Sequence, residues 1–144
     1  MRSITRATVA GLACAVAIPV AASAAAAPDR SSARAPVIEI KARGFGMVLA
    51  TRSRQALYYW NVEKRDFKVH CTGGCARAWP PLIVKSRSAV PTRIRGIRGR
   101  FGVIRRPDGR LQVTHNRLPI YTYAHEGPGV VRCNNVNGWF VVRT

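Results

Sequence analysis

Acidic side chains are what this chain has least of. Six Asp and Glu stand against 24 Lys and Arg, a formal charge of +18 over 144 residues, and most of the cations are arginine. A chain so one-sided repels itself and is drawn to polyanions, although charge alone does not rank the possible partners. Helical periodicity is nearly absent after residue 36, which excludes a helical bundle. The apolar run Ala7–Val20 falls short of the roughly 20 apolar residues needed to cross a bilayer. There is no G-x-S-x-G, no H-E-x-x-H, no P-loop and no dinucleotide fingerprint, so the familiar hydrolase, zinc-protease and nucleotide-binding classes drop out.

What is present begins with an export signal. Arg2 and Arg6 precede the uncharged run Ala7–Val20, and Ala22-Ser23-Ala24 supplies small residues at the cleavage spacing. Residues 1–27 therefore read as a secretory signal peptide, with cleavage after Ala24 or after Ala27. Cys14 lies within it, with Gly11 where a lipoprotein signal wants a Leu-like residue. Losing these residues removes two arginines and no acid, so the mature charge falls by two, from +18 to +16. Residues 28–36, PDRSSARAP, are small, polar and proline-bounded and are expected to be a disordered lead-in. Residues 37–144 are one domain of roughly a hundred residues, large enough for a modest core.

That domain is expected to be mainly β. Val37–Lys41 alternates, and Gly44–Thr51 and Ala56–Val62 flank the polar break Arg52–Gln55 as a hairpin would. Phe101-Gly102-Val103-Ile104 echoes Phe45-Gly46-Met47-Val48, and Pro107-Asp108-Gly109 is a turn signal before the alternating Leu111–Thr114. Leu57-Tyr58-Tyr59-Trp60 with Glu63 recurs as Ile120-Tyr121-Thr122-Tyr123 with Glu126. The fold expected is a single small domain of two imperfect β repeats. On this matching the second half carries an added hairpin, and only the first half holds the cysteine loop. Tyr58 and Trp60 should share one face of their strand, as should Tyr121 and Tyr123, and a core role suits these rings better than an exposed one. Cys75–Trp79 can form one helical turn, stopped by Pro80 and Pro81.

Three cysteines remain after export to an oxidising compartment. Cys71 and Cys75 bracket Thr72-Gly73-Gly74 and are expected to close a short disulfide loop that staples the fold. Cys133 is expected to be the unpaired thiol; an intermolecular link or a bond to one of the pair are its alternatives. His70, His115 and His125 match no zinc spacing, and no metal site or cofactor is assigned. Glu63 and Glu126 invite an acid/base reading, but a carboxylate just past a strand more simply accepts backbone N–H groups and fixes the turn. No catalytic residue is assigned. Arg93, Arg95, Arg98, Arg100, Arg105, Arg106 and Arg110 crowd a glycine-punctuated stretch with one acid, Asp108, and are the candidate polyanion-binding set.

Taken together, Y-x-[WY]-x-x-E twice, C-x-x-x-C followed by W-P-P, and R-x-D-G-x-x-Q-V-T followed by N-x-x-P-I-Y resemble the bacterial secreted-repeat family, predicted lipoproteins with a Y-x-[FWY]-x-x-D motif. The resemblance covers about Phe45–Val142. It places Tyr58, Trp60 and Glu63 in one motif, and Tyr121, Tyr123 and Glu126 in the other. Cys71, Cys75, Trp79, Pro80 and Pro81 match the cysteine segment, while Arg106, Asp108, Gly109, Gln112, Val113 and Thr114 match the turn segment. Both motif acids are Glu where the family has Asp, a lipobox is missing, and the arginine density and Cys133 lie outside the pattern. The resemblance implies an export compartment and a β architecture and no activity. The expected role is a non-catalytic module, secreted or held at the cell envelope. Its arginine-rich surface would contact anionic envelope polymers or lipid head groups rather than nucleic acid. A redox or copper-handling protein using the cysteines and histidines is the alternative, and a hydrolase using Glu63 and Glu126 comes third.

Overall fold

The computed structural model describes residues 34–144. The signal-peptide reading of residues 1–27 and most of the lead-in therefore fall outside the described residues. The described chain is mainly β, with one short helix and a disulfide loop. Ala35, assigned above to the lead-in, is 1% exposed and packs with Val37 and Leu49, so packing begins ahead of the first strand.

Two hairpins carry the same register. Strand β1 (Val37–Ala42) pairs antiparallel with β2 (Gly46–Thr51), from Val37 opposite Thr51 to Ala42 opposite Gly46. After β3 (Tyr58–Trp60), the helix α1 (Gly73–Ala78) and the short β4 (Ile83–Val84), strand β5 (Phe101–Arg105) pairs with β6 (Leu111–His115). That register runs from Phe101 opposite His115 to Arg105 opposite Leu111. Thus the two registers match β1 with β5 and β2 with β6, whereas the Phe-Gly echo matches β2 with β5. Hydrogen-bond register, not a shared dipeptide, sets which strands correspond. The hairpin expected between β2 and the aromatic strand is also curtailed. It consists of the Ala50–Ala56 bridge, Thr51 N–H to Gln55 O, and Leu57 N–H to Leu49 O, after which β3 leaves to pair with β8 (Trp139–Val141).

Each half sends its last segment across to the other. Leu49, Leu57 and Val142 close a ring of backbone bonds: Leu49 N–H to Val142 O at 2.9 Å, Val142 N–H to Leu57 O at 2.8 Å, and Leu57 N–H to Leu49 O at 2.8 Å. Val113, Leu82 and Ile120 close a matching ring at 2.9, 3.1 and 3.1 Å. In the first ring the late segment Trp139–Val142 joins the early strands; in the second, Trp79–Leu82 joins the late ones. Buried backbone groups must be paired, and these junctions pair them where three strands converge. Between the rings, Tyr58 N–H donates to Tyr121 O (2.8 Å) and Tyr121 N–H to Tyr58 O (2.9 Å).

Strand alternation then divides the interior into two apolar clusters. One gathers Ile40, Val48, Ala50, Tyr58, Trp79, Tyr121, Trp139 and Val141, with Trp60 and Tyr123 packed against it. The other gathers Val37, Leu49, Leu57, Phe101, Val113, Ile120 and Val142, with Tyr59 against it. Tyr58 and Trp60 thus share a face opposite Tyr59, and Tyr121 and Tyr123 share theirs, as the period of two requires. The remaining strand, β7 (Leu118–Pro119), returns against β6 through a turn at Asn116-Arg117, both at positive φ. No helix among the described residues is long and apolar enough to cross a membrane.

Candidate functional site

The two aromatic motifs are structural, and they are crossed. Tyr58 Oη donates to Glu126 (2.7 and 2.9 Å to its two oxygens), and Tyr121 Oη donates to Glu63 Oε1 at 2.7 Å. Each carboxylate also accepts backbone N–H groups just past its own strand: His70 and Cys71 donate to Glu63, Arg132 to Glu126. Glu63 is fully buried and Glu126 nearly so. Burial pushes the Glu63 carboxyl above its usual range, and its Oε2 has no hydrogen-bond partner. Both phenols are driven far up, first by burial and then by the facing carboxylates. A phenol held that firmly in its neutral form is a donor at every physiological pH. The carboxylates thus tie down the backbone that follows their strands from inside the protein.

Cys71 and Cys75 are disulfide-bonded, with Cα atoms 5.2 Å apart, and Cys133 is free. The staple opens α1, which ends at Trp79 where Pro80 and Pro81 follow. The N–H groups of His70 and Cys71 donate to Glu63, and that of Arg132, next to Cys133, donates to Glu126. Cys133 is half-buried, and burial raises its thiol above the ordinary range, so it is a poor nucleophile at neutral pH. Among the described residues no three side chains drawn from His, Cys, Asp and Glu converge as metal ligands would. His70 instead pairs with Asp66 at the surface, 3.0 Å away.

The tryptophans and Tyr123 form a row. Trp60 lies parallel to Trp139 at 5.5 Å, Trp139 to Trp79 at 3.9 Å, and Trp79 meets Tyr123 at 4.7 Å. Trp79 and Trp139, each opening the segment that crosses between halves, thus stack face to face at the centre.

The seven candidate arginines do not form one patch. Arg106 must be withdrawn from the set: it is 3% exposed and its guanidinium donates to Gln112 Oε1, Cys71 O and Asp108. Gln112 passes its amide to Ile120 O, so the turn-segment residues tie the cysteine loop to β6 and to the strand bearing Tyr121. Asp108 holds Arg110 at 2.7 Å, and these contacts pull its carboxyl down to about 2. Arg105 is exposed but donates to Gly109 O. Gly109 stands at φ +82° in that turn.

Arg93, Arg95, Arg98 and Arg100 are all exposed on the loop that precedes β5. The loop is pinned beneath by Ile94, 6% exposed, and by Ile97. Its end is fastened to the β6–β7 turn. Asn116 N–H donates to Arg100 O at 2.7 Å, Arg100 N–H to Asn116 Oδ1 at 2.9 Å, and His115 Nε2 meets Arg98 O at 3.0 Å. Burial lowers the His115 pKa, which favours the neutral ring. Gly99, at φ +93°, allows this approach, since a Cβ there would stand 2.2 Å from His115 Nε2. The basic loop is thus a fixed feature and not a slack linker.

No family model, curated protein or solved structure matches this chain. Its candidate site therefore rests on its own geometry. Sequence reasoning missed His115 and Asn116 as the loop's anchors, and missed Lys64 and Arg143, which join Tyr59 around a separate cleft. The anchors carried one faint signal, a His-Asn pair between two strand-like runs. The cleft carried none, because its lining comes from distant parts of the chain.

Proposed function

We propose that this is an exported, non-catalytic module, secreted or held at the cell envelope, that binds anionic polymers or lipid head groups through its arginine-rich surface. The observation that carries the reading is the anchored loop with Arg93, Arg95, Arg98 and Arg100 all exposed. Holding four guanidinium groups close together costs electrostatic repulsion, which an anionic polymer relieves while releasing its own counterions. The acids deepen the imbalance, because Glu63 and Glu126 are inside the protein and leave the surface with few carboxylates. Export is supported by the composition of the leader, and membership of the secreted-repeat family by the motif residues. Neither the copper-handling nor the hydrolase alternative gains an observation.

The test is a titration of the protein with polygalacturonate, with a neutral galactan, with anionic lipid vesicles and with DNA, at low and at physiological salt. Saturable binding to the polyanions that weakens steeply with salt, and none to the galactan, is expected. Equal binding of the neutral polymer, or indifference to salt, counts against the proposal.

A further inference from the structure

The two matching hairpins differ in what covers their outer edges. In an antiparallel pair, a residue that turns its N–H and C=O away from the partner strand lies opposite one that does the same. Leu49 N–H donates to Val142 O and Leu49 O accepts from Leu57, so both groups face away from β1. Glu39, opposite Leu49, therefore turns its own N–H and C=O to the outer edge of β1. Lys41, opposite Met47, does likewise, since Met47 O accepts Thr144 N–H. On β5, Val103 holds the place of Glu39, and Phe101 that of Val37. There the edge is closed: Arg87 donates to Val103 O, and Phe101 N–H donates to Thr92 O at 3.0 Å. On β1, nothing among the described residues bonds to the outward backbone groups of Glu39 or Lys41. Val37 is 1% exposed, so the start of the strand is covered, whereas Glu39 is half-buried and Lys41 exposed.

We propose that this open edge pairs antiparallel with the same edge of a second copy, Glu39 of each copy opposite Lys41 of the other and Ile40 on the two-fold axis. Charge and burial select that register. Outward-facing residues can exchange bonds only with outward-facing residues, so the axis passes through one position of the strand. Placed on Glu39 or on Lys41, it sets like charges face to face, which destabilises a sheet. Placed on Ile38, it needs Val37, whose outer side is covered. Placed on Ile40, it makes two opposite-charge pairs, and each pair exchanges both of its backbone bonds. The Glu39 carboxylate has room for this: one oxygen accepts the Thr144 hydroxyl, and the other has no partner among the described residues. A uniformly acidic strand suits the edge less well, because it sets a carboxylate against Glu39. The protein's excess of positive charge opposes association, so the pairing belongs to physiological salt, where repulsion is screened beyond about 8 Å. Such a dimer carries two anchored basic loops on one particle.

The experiment is sedimentation equilibrium of the purified protein at physiological salt, from micromolar to millimolar concentration. Wild type should pass from monomer to dimer. Glu39→Lys and Lys41→Glu should each weaken the dimer by about tenfold or more, because both pairs turn from opposite to like charge. Combining the two changes in one chain restores opposite pairs and should restore the dimer. Mixing the two single variants should give a heterodimer tighter than either homodimer. Lys41→Pro should leave a folded monomer, since it removes an outward N–H and none that β2 uses. Amide spectra check the fold of each variant; should Glu39→Lys unfold with the loss of its Thr144 contact, Lys41→Glu and Lys41→Pro still decide the matter. A wild type that stays monomeric throughout, or a dimer indifferent to the charge changes and to Lys41→Pro, would overturn the proposal. The readout is mass and not polymer binding, so failure here leaves the polyanion reading standing.

Discussion

Tyr58 and Tyr121 each serve two masters, one through the backbone and one through the hydroxyl. Their main chains bond to one another, while each phenol reaches the carboxylate of the opposite motif. A double-mutant cycle separates this crossed arrangement from a local one. Tyr58→Phe should couple to Glu126→Gln by about 0.5–3 kcal/mol in unfolding free energy, and be additive with Glu63→Gln within about 0.5 kcal/mol. Coupling to Glu63 instead would mean the motifs are self-contained. The buried Glu63 also sets a pH dependence. Its folded pKa is raised, so between the ordinary carboxylate value and that raised value the native state holds more protons than the unfolded chain. Its contribution to stability therefore falls as pH rises through that window. Glu63→Gln should flatten this part of a stability–pH profile followed by chemical denaturation; an unchanged slope would show that Glu63 titrates normally. The sequence displayed both Tyr and Glu pairs plainly, and even the turn-fixing role of the acids. It could not display the crossing, because a motif carries no record of which copy its side chains meet.

At the level of elements, the Cys71–Cys75 staple and the helical turn after it were legible, since a glycine-rich loop and a following Pro-Pro have local causes. Replacing both cysteines by Ala should lower stability by about 2 kcal/mol, the modest loss expected for so short a loop. Trp79→Ala should cost more, about 3–5 kcal/mol, because the ring is buried against Trp139, Tyr58 and Tyr123. Thermal and denaturant unfolding of the two variants would check the ranking, and the reverse order would mean that the staple and not the stack holds this corner. The correspondence of Trp79–Leu82 with Trp139–Val142 was hidden for a physical reason. Prolines offer no N–H, so Pro81 makes only an isolated bridge to Tyr121 where Val141 takes part in a regular strand with Tyr58. Pro80 still contributes its carbonyl, which accepts Thr122 N–H at 2.8 Å. The loop anchor was invisible for another reason: Gly99 looks like flexibility until His115 is seen against it. Gly99→Ala should free or displace the loop, read as faster amide exchange at Arg100 and Asn116, whose N–H groups make the anchor; unchanged protection would show that the contact is dispensable.

For the molecule as a whole, the exchange of segments explains why two small halves make one domain. Neither hairpin buries its apolar face alone, and each ring of backbone bonds borrows a strand from the other half. Alternation revealed the β class and the faces of the aromatic strands, but not the exchange, which depends on contacts across most of the chain. Charge was legible as a total and not as a surface. Folding removed Arg106 from the candidate set, tied Arg110 to Asp108, and left the anchored loop as the main basic feature. The central claim is that this loop, and not net charge spread over the protein, drives polyanion binding. The most direct measurement is the slope of log Kd against log salt for polygalacturonate, in wild type and in the Arg93, Arg95, Arg98 and Arg100→Ser variant. By analogy with single-stranded nucleic acid, each neutralised phosphate-like charge contributes about 0.7 to that slope, so the variant's should be shallower by roughly two to three, with weaker binding at every salt concentration. A variant with the wild-type slope and affinity would contradict the account, leaving the loop a solvated connection between the two halves.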